Sequence, residues 1–452
     1  MSDVIAAVAT GWQVSAIGII RMSGPGSMEV AKCVFAPRFH SFEEISDRTL
    51  VIGNLKDRQG RVIDEVLMTI SHGPASYTGE DTVEFQCHGS PAVLSAGLES
   101  LFANGARQAG PGEFTKRAFL NGRMDLTQAE AVIDLIHAES AEAAANAAGQ
   151  LGGAMAKRIA PVYHALTNVM AHFHAVLDYP DEDIEPFELE VLQKTLGASE
   201  HSLQQLLSTF ERGRVMKHGL RAVILGKPNA GKSSFLNALA GYDRVIVSDI
   251  AGTTRDTVEE TVRLGRHVLR LLDTAGIHNT EDQIEQLGVE RAEAAAGHCD
   301  LAIYVCDSSA PLTEEDLRAQ EAAMQADRTV AILNKQDLSP VVSPSDLPFE
   351  WIIPFCANTG EGADLLEGVL DELFPQDAPC DGSILTNARQ AEAVERAANA
   401  IRSASASLSL SVTPDAVLVD VESALEALGE ITGQSMREEI TNRIFERFCV
   451  GK

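Results

Sequence analysis

The residues Gly226-Lys227-Pro228-Asn229-Ala230-Gly231-Lys232-Ser233 decide the fold of the middle of this chain. They match the pattern GxxxxGK[ST], with the apolar stretch 223–225 before them and the helix-forming stretch 234–239 after them. This order predicts a strand, a loop and a helix, in which loop amides and the helix N-terminus bind phosphate oxygens. We expect Lys232 to reach the β- and γ-phosphates and the Ser233 hydroxyl to bind Mg²⁺. The alternative, a glycine-rich turn without a ligand, is disfavoured by the flanking strand and helix.

Two further motifs specify the base. The motif DTAG at 273–276 follows an apolar run and would place Asp273 near the metal and Gly276 near the γ-phosphate. The motif NKQD at 334–337 ends the next strand but one, and the Asp337 carboxylate can accept hydrogen bonds from two guanine donors that adenine lacks. The motif CAN at 356–358 follows the last apolar run and could contact the base. The phosphate loop, the DTAG motif and the NKQD motif in this order predict GTP as the ligand and exclude ATP.

The chain contains three kinds of region with different sequence patterns. Between residues 217 and 374, apolar runs at 222–225, 268–272, 301–306, 330–333 and 351–355 alternate with helical stretches, which predicts a parallel α/β sheet. Helical patterns flank this segment on both sides. The first runs from about 125 to 212, and Thr127 and Glu130 near its start have capping-box spacing. The second follows Pro375, and its apolar residues 418, 421, 425 and 428 share a face. Residues 1–118 are strand-like, with apolar 83, 85 and 87 alternating with polar neighbours. We therefore expect an α/β domain inserted into a helical domain and preceded by an α+β domain, with bounds 1–118, 119–212, 217–376 and 380–452.

Composition limits the functions that this chain can have. The 452 residues carry a net charge of −29, so a polybasic nucleic-acid binder is excluded, and any polynucleotide needs a local basic patch or a partner. One candidate patch is Arg107, Lys116, Arg117 and Arg123, which would contact tRNA or folate; the alternative is an ordinary solvated surface. The seven cysteines form no CxxC pair, which indicates a reducing cytoplasm. The uncharged stretch 4–20 has polar interruptions and no basic flank, so we predict a buried strand there, and no membrane span.

The chain as a whole closely resembles the MnmE (TrmE) family of tRNA modification GTPases, within the TrmE-Era-like GTPases. The blocks that carry the resemblance are IIRMSG (19–24), YTGEDTVE (77–84), PGEFTKRAFLNGR (111–123), IAGTTRD (250–256) and FCVGK (448–452). The resemblance implies an N-terminal folate-binding and dimerisation domain, and a helical domain that holds the inserted P-loop GTPase domain. It also implies a homodimer that works with a flavin-containing (FAD) partner, MnmG (GidA). Together they modify carbon 5 of the tRNA wobble uridine, adding an aminomethyl or carboxymethylaminomethyl group with a one-carbon unit from 5-formyl- or methylene-tetrahydrofolate.

The resemblance also assigns residues. GTP would contact Asn229, Ala230, Gly231, Lys232, Ser233, Ser234, Ser248, Asp249, Ile250, Ala251, Gly252, Thr253, Thr254, Asp273, Thr274, Ala275, Gly276, Asn334, Lys335 and Asp337. Mg²⁺ would be bound by Ser233 and Thr254, and K⁺ by Asn229, Ser248, Ile250 and Thr253. Glu285 would orient the attacking water, because Ile277 stands where many GTPases have glutamine. Folate would contact Arg21, Glu84, Arg123 and Lys452. Without the resemblance, Glu285 would be interpreted as a solvated acid, and a surface ion pair is the alternative for each of the four folate residues.

Three points stay open in the sequence. Cys449 matches a catalytic cysteine of the family, but the segment 448–450 could equally be the packed end of a helix. The family's Pro- and Gly-rich loop is replaced here by GWQVSA (11–16), in which Trp12 could add a stacking surface to the folate pocket or, as we expect, fill a core. The runner-up function is a ribosome-assembly GTPase switch of the Era-like type, which shares the central domain. Residues 1–123 and 449–452 discriminate between the two functions.

Overall fold

The computed structural model describes residues 3–39, 41–178, 189–242, 260–272, 296–297, 299–375, 380–410, 414–434, 438–446 and 448–451. The chain divides into two compact units. The first unit comprises Met1–Ile136, Ala147–Gln204 and Glu392–Lys452, and the second comprises His137–Asn146 and Gln205–Ala391. The second unit is thus inserted into the first along the sequence. The four domain boundaries given above stay predictions.

The regular elements of the described residues are as follows. The strands are β1 (Ile5–Val8), β2 (Ser15–Ser23), β3 (Phe35–Pro37), β4 (Val51–Lys56), β5 (Val62–Ser71), β6 (Thr82–Gly89), β7 (Arg107–Gln108), β8 (Leu220–Leu225), β9 (Glu260–Leu264), β10 (His267–Leu271), β11 (Leu301–Asp307), β12 (Thr329–Asn334) and β13 (Ile352–Pro354). The helices are α1 (Ser27–Val34), α2 (Pro91–Ala103), α3 (Glu113–Leu120), α4 (Leu126–Ile136), α5 (Ala141–Leu151), α6 (Ala154–Asp178), α7 (Leu189–Leu207), α8 (Phe210–His218), α9 (Lys232–Tyr242), α10 (Glu314–Ala323), α11 (Ala363–Leu373), α12 (Ala388–Ser409), α13 (Pro414–Thr432) and α14 (Glu438–Phe445).

The first unit contains a seven-stranded sheet in the order β3-β4-β5-β6-β2-β1-β7. Its strands pair antiparallel except for β1 and β7. Val83, Phe85 and Cys87 are buried while Glu84, Gln86 and His88 are not, so the alternation predicted for this strand is confirmed. Helices α1 and α2 pack on the buried face, where they share one apolar core with these side chains. Trp12 lies 54% exposed, so the prediction that it fills a core is wrong.

The first helix of the helical region begins two residues earlier than the capping box that we proposed from the sequence. The Asp125 Oδ1 atom accepts a 2.9 Å hydrogen bond from the Gln128 N–H, and the Gln128 Oε1 atom accepts one of 3.0 Å from the Asp125 N–H. Thr127 is buried inside α4 and donates its hydroxyl to Asp125 at 2.6 Å. The Thr127–Glu130 assignment is therefore wrong, because Asp125 has already capped the free amides of the first turn.

The second unit is built on a six-stranded sheet in the order β13-β12-β11-β8-β10-β9. All neighbouring strands pair in parallel except β9, an antiparallel edge strand next to β10 that no predicted apolar run includes. One face buries α9 and α11 through residues such as Phe235 and Leu366, and the other buries α10 through Ala319 and Tyr304. The glycine-rich loop leaves the carboxyl end of the central strand β8, the edge at which open α/β sheets bind ligands.

Candidate functional site

The glycine-rich loop joins β8 to α9 in a conformation that few residues other than glycine can adopt. Gly226 and Gly231 have φ angles of 150° and 94°. A Cβ atom on Gly226 would collide with the Val305 carbonyl, and one on Gly231 with the Asn334 side-chain amide. Asn229, with φ of 60°, is the loop's left-handed non-glycine residue. The two glycines therefore let the loop fold closely against β11 and the end of β12.

Lys232 is held by the loop itself. Its Nζ atom donates to the carbonyl oxygens of Gly226 at 2.7 Å and of Lys227 at 2.9 Å. The Lys227 carbonyl also accepts the Ala230 N–H at 3.3 Å, which closes the turn. The ammonium group is thus positioned over the loop, next to the α9 N-terminus, where phosphate oxygens would find positive charge from both.

The motif at the end of β12 is hydrogen-bonded to this loop. Asn334 is 1% exposed; its Nδ2 atom donates to the Ala230 carbonyl at 3.1 Å, and its Oδ1 atom accepts the Ala357 N–H at 3.3 Å. Lys335 Nζ donates to the Asn229 carbonyl at 3.1 Å. The structure therefore gathers the phosphate loop, the NKQD motif and the CAN motif into one site.

The base-selecting carboxylate lies at the rim of the site. Asp337 is exposed, and its Oδ2 atom accepts a 2.9 Å hydrogen bond from the Asn358 side-chain amide. A carboxylate oxygen accepts more than one hydrogen bond, so Asp337 keeps capacity for the two donors on the guanine edge. The position of this group fits guanine selection, and its role in binding stays a prediction.

Asp307 belongs to the site but escaped the sequence analysis. It ends β11 and its Oδ2 atom accepts a 2.6 Å hydrogen bond from Lys335 Nζ. Burial alone would raise the pKa of Asp307, but the hydrogen bonds from Lys335 and Ser309 outweigh it and hold that pKa below its usual range. The anionic Asp307 thereby fixes the lysine of the NKQD motif. Its only signal in the sequence is its place directly after an apolar run.

Several predicted site residues lie outside the described residues. They are Ser248, Asp249, Ile250, Ala251, Gly252, Thr253, Thr254, Asp273, Thr274, Ala275, Gly276, Ile277, Glu285 and Lys452. Of the predicted metal ligands, the structure describes Asn229 and Ser233. Asn229 is exposed at the loop tip and Ser233 is half-buried at the start of α9. Their oxygen atoms are of the kind that K⁺ and Mg²⁺ take as ligands.

A second candidate site lies on the sheet of the first unit. Arg21 and Glu84 are register partners on β2 and β6, with the Arg21 Nε atom 2.7 Å from Glu84 Oε1. The Arg21 guanidinium lies 5.3 Å from the Tyr77 ring centroid and 5.8 Å from that of Phe114. Arg123 Nε donates to the carbonyl of Ser76, the neighbour of Tyr77, at 3.0 Å. Arg21 and Glu84 therefore lie beside Tyr77, which the sequence analysis did not single out, and Arg123 is hydrogen-bonded to the residue before Tyr77.

The C-terminal segment packs beside this second site. The Cys449 carbonyl accepts the Gly112 N–H at 3.2 Å, and Val450 forms a β-bridge with Pro111, just before α3. Phe448 is 5% exposed and packs on Phe445, whereas Cys449 is exposed. Helix α14 ends at Phe445, so the alternative that Cys449 is the packed end of a helix is wrong. The segment instead carries an exposed thiol next to the isolated β-bridge residue Val450.

The proposed basic cluster is not an open patch. Arg107 pairs with Asp3 and Glu113, and Arg117 pairs with Asp3, Glu80 and Glu113. The hydrogen bond from Arg107 lowers the pKa of Asp3 to about 2. Burial would raise the pKa of Glu113, but hydrogen bonds from Arg107 and others lower it to about 2. Two of the four cations are therefore neutralised in ion pairs, which connect Asp3, just before β1, to α3.

The parallel sheet, the phosphate loop and the base motif define this protein as a P-loop GTPase. Family models describe the same chain as "GTP-binding protein TrmE N-terminus" over residues 4–123 and "MnmE helical domain" over 126–449. The chain belongs to the MnmE family of tRNA modification GTPases. The N-terminal match covers the residues that separate this family from Era-like assembly GTPases.

Relatives match this chain over its whole length. The tRNA modification GTPase MnmE of Carboxydothermus hydrogenoformans is 39% identical over 465 residues, covering 100% of both chains. That of Clostridioides difficile is 38% identical over 459 residues, again covering 100% of both. A solved structure of Era from Aquifex aeolicus covers 40% of this chain and 66% of its own at 23% identity, with a TM-score of 0.26, a likeness too low to bear on function. Among the described helices, none has the length and apolar character that a membrane crossing requires.

Proposed function

We propose that this protein is a potassium-dependent GTPase that acts with the FAD-containing partner MnmG in tRNA modification. It would take part in adding a carboxymethylaminomethyl or aminomethyl group to carbon 5 of the wobble uridine of certain tRNAs. A tetrahydrofolate derivative would supply the one-carbon unit. The observation that carries the proposal is the full-length match to tRNA modification GTPases of a chain with both a nucleotide loop and the Arg21–Glu84 site. A cytoplasmic location stays a prediction from cysteine usage.

At the nucleotide site, the loop residues bind and neutralise phosphate. Lys232 would exchange its two carbonyl partners for phosphate oxygens, which are stronger acceptors for an ammonium group. Ser233 and Thr254 would hold Mg²⁺, which supplies positive charge against the phosphates when bound. Asn334 is hydrogen-bonded both to the phosphate loop, at Ala230, and to the CAN motif, at Ala357. One hydrogen-bonded unit would therefore position a bound guanine and its phosphates.

The proposed potassium site supplies charge that an arginine supplies in other GTPases. The Asn229 carbonyl is held by Lys335 Nζ at 3.1 Å, so the backbone at the loop tip is fixed while the side-chain amide is exposed. The side-chain amide oxygen of Asn229, carried on this fixed backbone beside the phosphates, would bind a monovalent cation. Ser248, Ile250 and Thr253 would complete the ligand set. Glu285 would orient the water, since Ile277 carries no polar atom.

The Arg21 site suits a folate by its chemistry. A pterin ring offers N–H donors to a carboxylate such as Glu84, and the folate's glutamate tail offers carboxylates to guanidinium groups such as Arg123. Arg21 is 17% and Glu84 26% exposed, so a bound ring would find the pair partly desolvated. Tyr77, half-buried against Phe114, gives this pair an aromatic wall. The exposed Cys449 thiol on the neighbouring segment is the candidate catalytic group.

The open face of the seven-stranded sheet supports a homodimer. Opposite the face that the helices cover, Ile52, Leu67, Gln86 and Ile19 form a register row across four strands. Leu67 is 38% and Ile17 58% exposed. Apolar side chains grouped on an exposed sheet face mark an interaction surface. We propose that a second copy covers this face, which also carries Arg21 and Glu84.

Ion dependence tests the GTPase proposal. Steady-state GTP turnover should be much faster in KCl than in NaCl at equal ionic strength, and Asn229→Ala should remove that difference. Equal rates in the two salts for the unmutated protein would rule out the potassium site.

Reconstitution tests the tRNA proposal. The protein, purified MnmG with its FAD, unmodified tRNA, GTP, methylene-tetrahydrofolate and an amine (ammonium or glycine) are combined, and the wobble nucleoside is analysed after digestion. We expect modification that requires the folate. Binding of 5-formyl-tetrahydrofolate should be lost in Glu84→Gln and kept in Glu65→Gln, a matched control in which Glu65 pairs with Arg38 at 2.9 Å elsewhere on the sheet. If both variants bind alike, the folate site lies elsewhere.

A further inference from the structure

Asp316 is a buried carboxylate with no role in the nucleotide site as predicted from the sequence. It lies in the first turn of α10 with no exposed side-chain surface. Thr313 donates to its Oδ2 atom through its N–H at 2.8 Å and its hydroxyl at 2.9 Å, and the Tyr304 hydroxyl donates to Oδ1 at 3.1 Å. Three neutral donors offset only part of the cost of removing a negative charge from water, and a nearby cation stabilises the carboxylate further.

That cation is the second residue of the phosphate loop. Lys227 Nζ lies 2.8 Å from Asp316 Oδ2 and 3.4 Å from the Pro311 carbonyl, and the Lys227 side chain is only 13% exposed. Burial would raise the pKa of Asp316, but the Lys227 ammonium and the Thr313 donors outweigh it and hold that pKa below its usual range. The pair is therefore ionised at neutral pH. The Lys227–Asp316 pair connects the phosphate loop to α10, which packs on the opposite face of the six-stranded sheet from α9.

The Lys227 backbone passes this restraint to the phosphate-binding groups. Its carbonyl is the acceptor for both the Ala230 N–H and the Lys232 ammonium. A Lys227 fixed by Asp316 thus fixes the turn of the loop and the resting position of Lys232. We propose that Asp316 is a positioning residue that holds the phosphate loop, through Lys227, in its nucleotide-binding shape. This inference rests on the proposed nucleotide site.

A preformed loop loses less conformational freedom when phosphates bind, so the pair should act on affinity. GDP and GTP both contact the loop through their α- and β-phosphates, and both should be affected alike. Losing one charge-assisted hydrogen bond corresponds to a loss of roughly tenfold to a hundredfold in affinity. Hydrolysis of GTP that is already bound should change little, because Asp316 touches no reacting atom.

Asp316→Asn is the test, and the chain offers a matched control. Asp346 caps the short 3₁₀ helix Pro344–Asp346 in the same way, accepting the Ser343 N–H at 2.8 Å and its hydroxyl at 2.7 Å, but it is exposed and contacts no cation in the described structure. A fluorescent GDP analogue measures affinity, and single-turnover hydrolysis, with enzyme in saturating excess over GTP, measures the chemical step. We expect Asp316→Asn to bind GDP roughly tenfold to a hundredfold more weakly with near-normal single turnover, and Asp346→Asn to match the unmutated protein.

The Lys227 variants separate positioning from a general loss of structure. Lys227→Gln should reproduce the loss, Lys227→Arg should restore the affinity that glutamine loses, and Lys227→Gln with Asp316→Asn should be no weaker than either alone. These variants decide the case if Asp316→Asn fails to fold. Unchanged GDP affinity in Lys227→Gln and Asp316→Asn, or losses that add in the double variant, would overturn the proposal. Failure of the unmutated protein to bind GDP would overturn the nucleotide site itself.

Discussion

Asn334 connects the phosphate loop to the base loop, and its truncation gives the strongest quantitative prediction of this structure. Asn334→Ala removes the hydrogen bond to the buried Ala230 carbonyl and the one from the Ala357 N–H. Each lost neutral hydrogen bond costs about 1 kcal/mol net, and more where the abandoned partner stays buried. Two bonds with one deeply buried partner therefore give a loss of roughly 2–4 kcal/mol in the free energy of unfolding of the second unit.

The assay pairs urea unfolding of the nucleotide-free protein with GDP titration. The unfolding transition that GDP shifts reports the second unit, since a ligand stabilises the part that binds it. We expect this transition to move to lower urea and GDP affinity to fall by at least about tenfold, because the two loops are no longer held together. The control is Asn104→Ala, which removes one hydrogen bond of 2.8 Å to the Ser100 carbonyl at the end of α2. A second unit no less stable in Asn334→Ala than in Asn104→Ala would refute the reasoning.

Three other perturbations follow from the same site and from the ion pairs of the first unit. Asp337→Asn should weaken GTP binding and improve xanthine nucleotide binding, because the amide offers a donor where guanine also offers one; unchanged selectivity in competition titrations would remove Asp337 from the base site. Glu285→Ala should bind GTP normally but hydrolyse it slower by about a hundredfold or more, and normal single-turnover rates would make it a solvated acid. Asp3 and Glu113, with pKa values of about 2 against ordinary values of 3.8 and 4.5, stabilise the folded first unit above about pH 4.5, and this stability is lost as pH falls toward 2. The urea midpoint of the first unit should therefore fall between pH 5 and about pH 2.5, less steeply in Arg107→Gln; parallel profiles would contradict the assignment.

The predictable part of the nucleotide site is the part that the sequence encodes locally. The strand, the glycine positions and the helix start are adjacent in sequence, and their geometry follows from which residues tolerate positive φ. The base motif could be predicted for a similar reason, because parallel strands end at one edge of the sheet. Asp307 and Asp316 could not, since each meets its lysine only after strands far apart in sequence become neighbours.

The errors also have physical causes. Asp125-x-x-Gln128 and Thr127-x-x-Glu130 are overlapping capping patterns, and only the first satisfies the amides of a helix that begins at Leu126. Strand β9 has the sequence ETVRL, too short and too polar to form an apolar run, and it is stabilised by pairing with β10. Trp12 lies in the loop before β2, where no core is available to it. Of the three, the β9 error is the one that tertiary pairing decides, which local pattern does not record.

The ion pairs around α3 bear on how tRNA is bound. A chain with net charge −29 repels a polynucleotide unless cations are presented together, and Arg107 and Arg117 are already neutralised by Asp3, Glu80 and Glu113. The pairs are also strong enough to hold the pKa values of Asp3 and Glu113 at about 2, so phosphates would compete poorly for these arginines at neutral pH. The cluster therefore serves to join β1 to α3, the helix beside the Arg21 site. We infer that Arg107 and Arg117 do not form the tRNA contact, so cations that bind tRNA must come from other residues of this chain or from a partner.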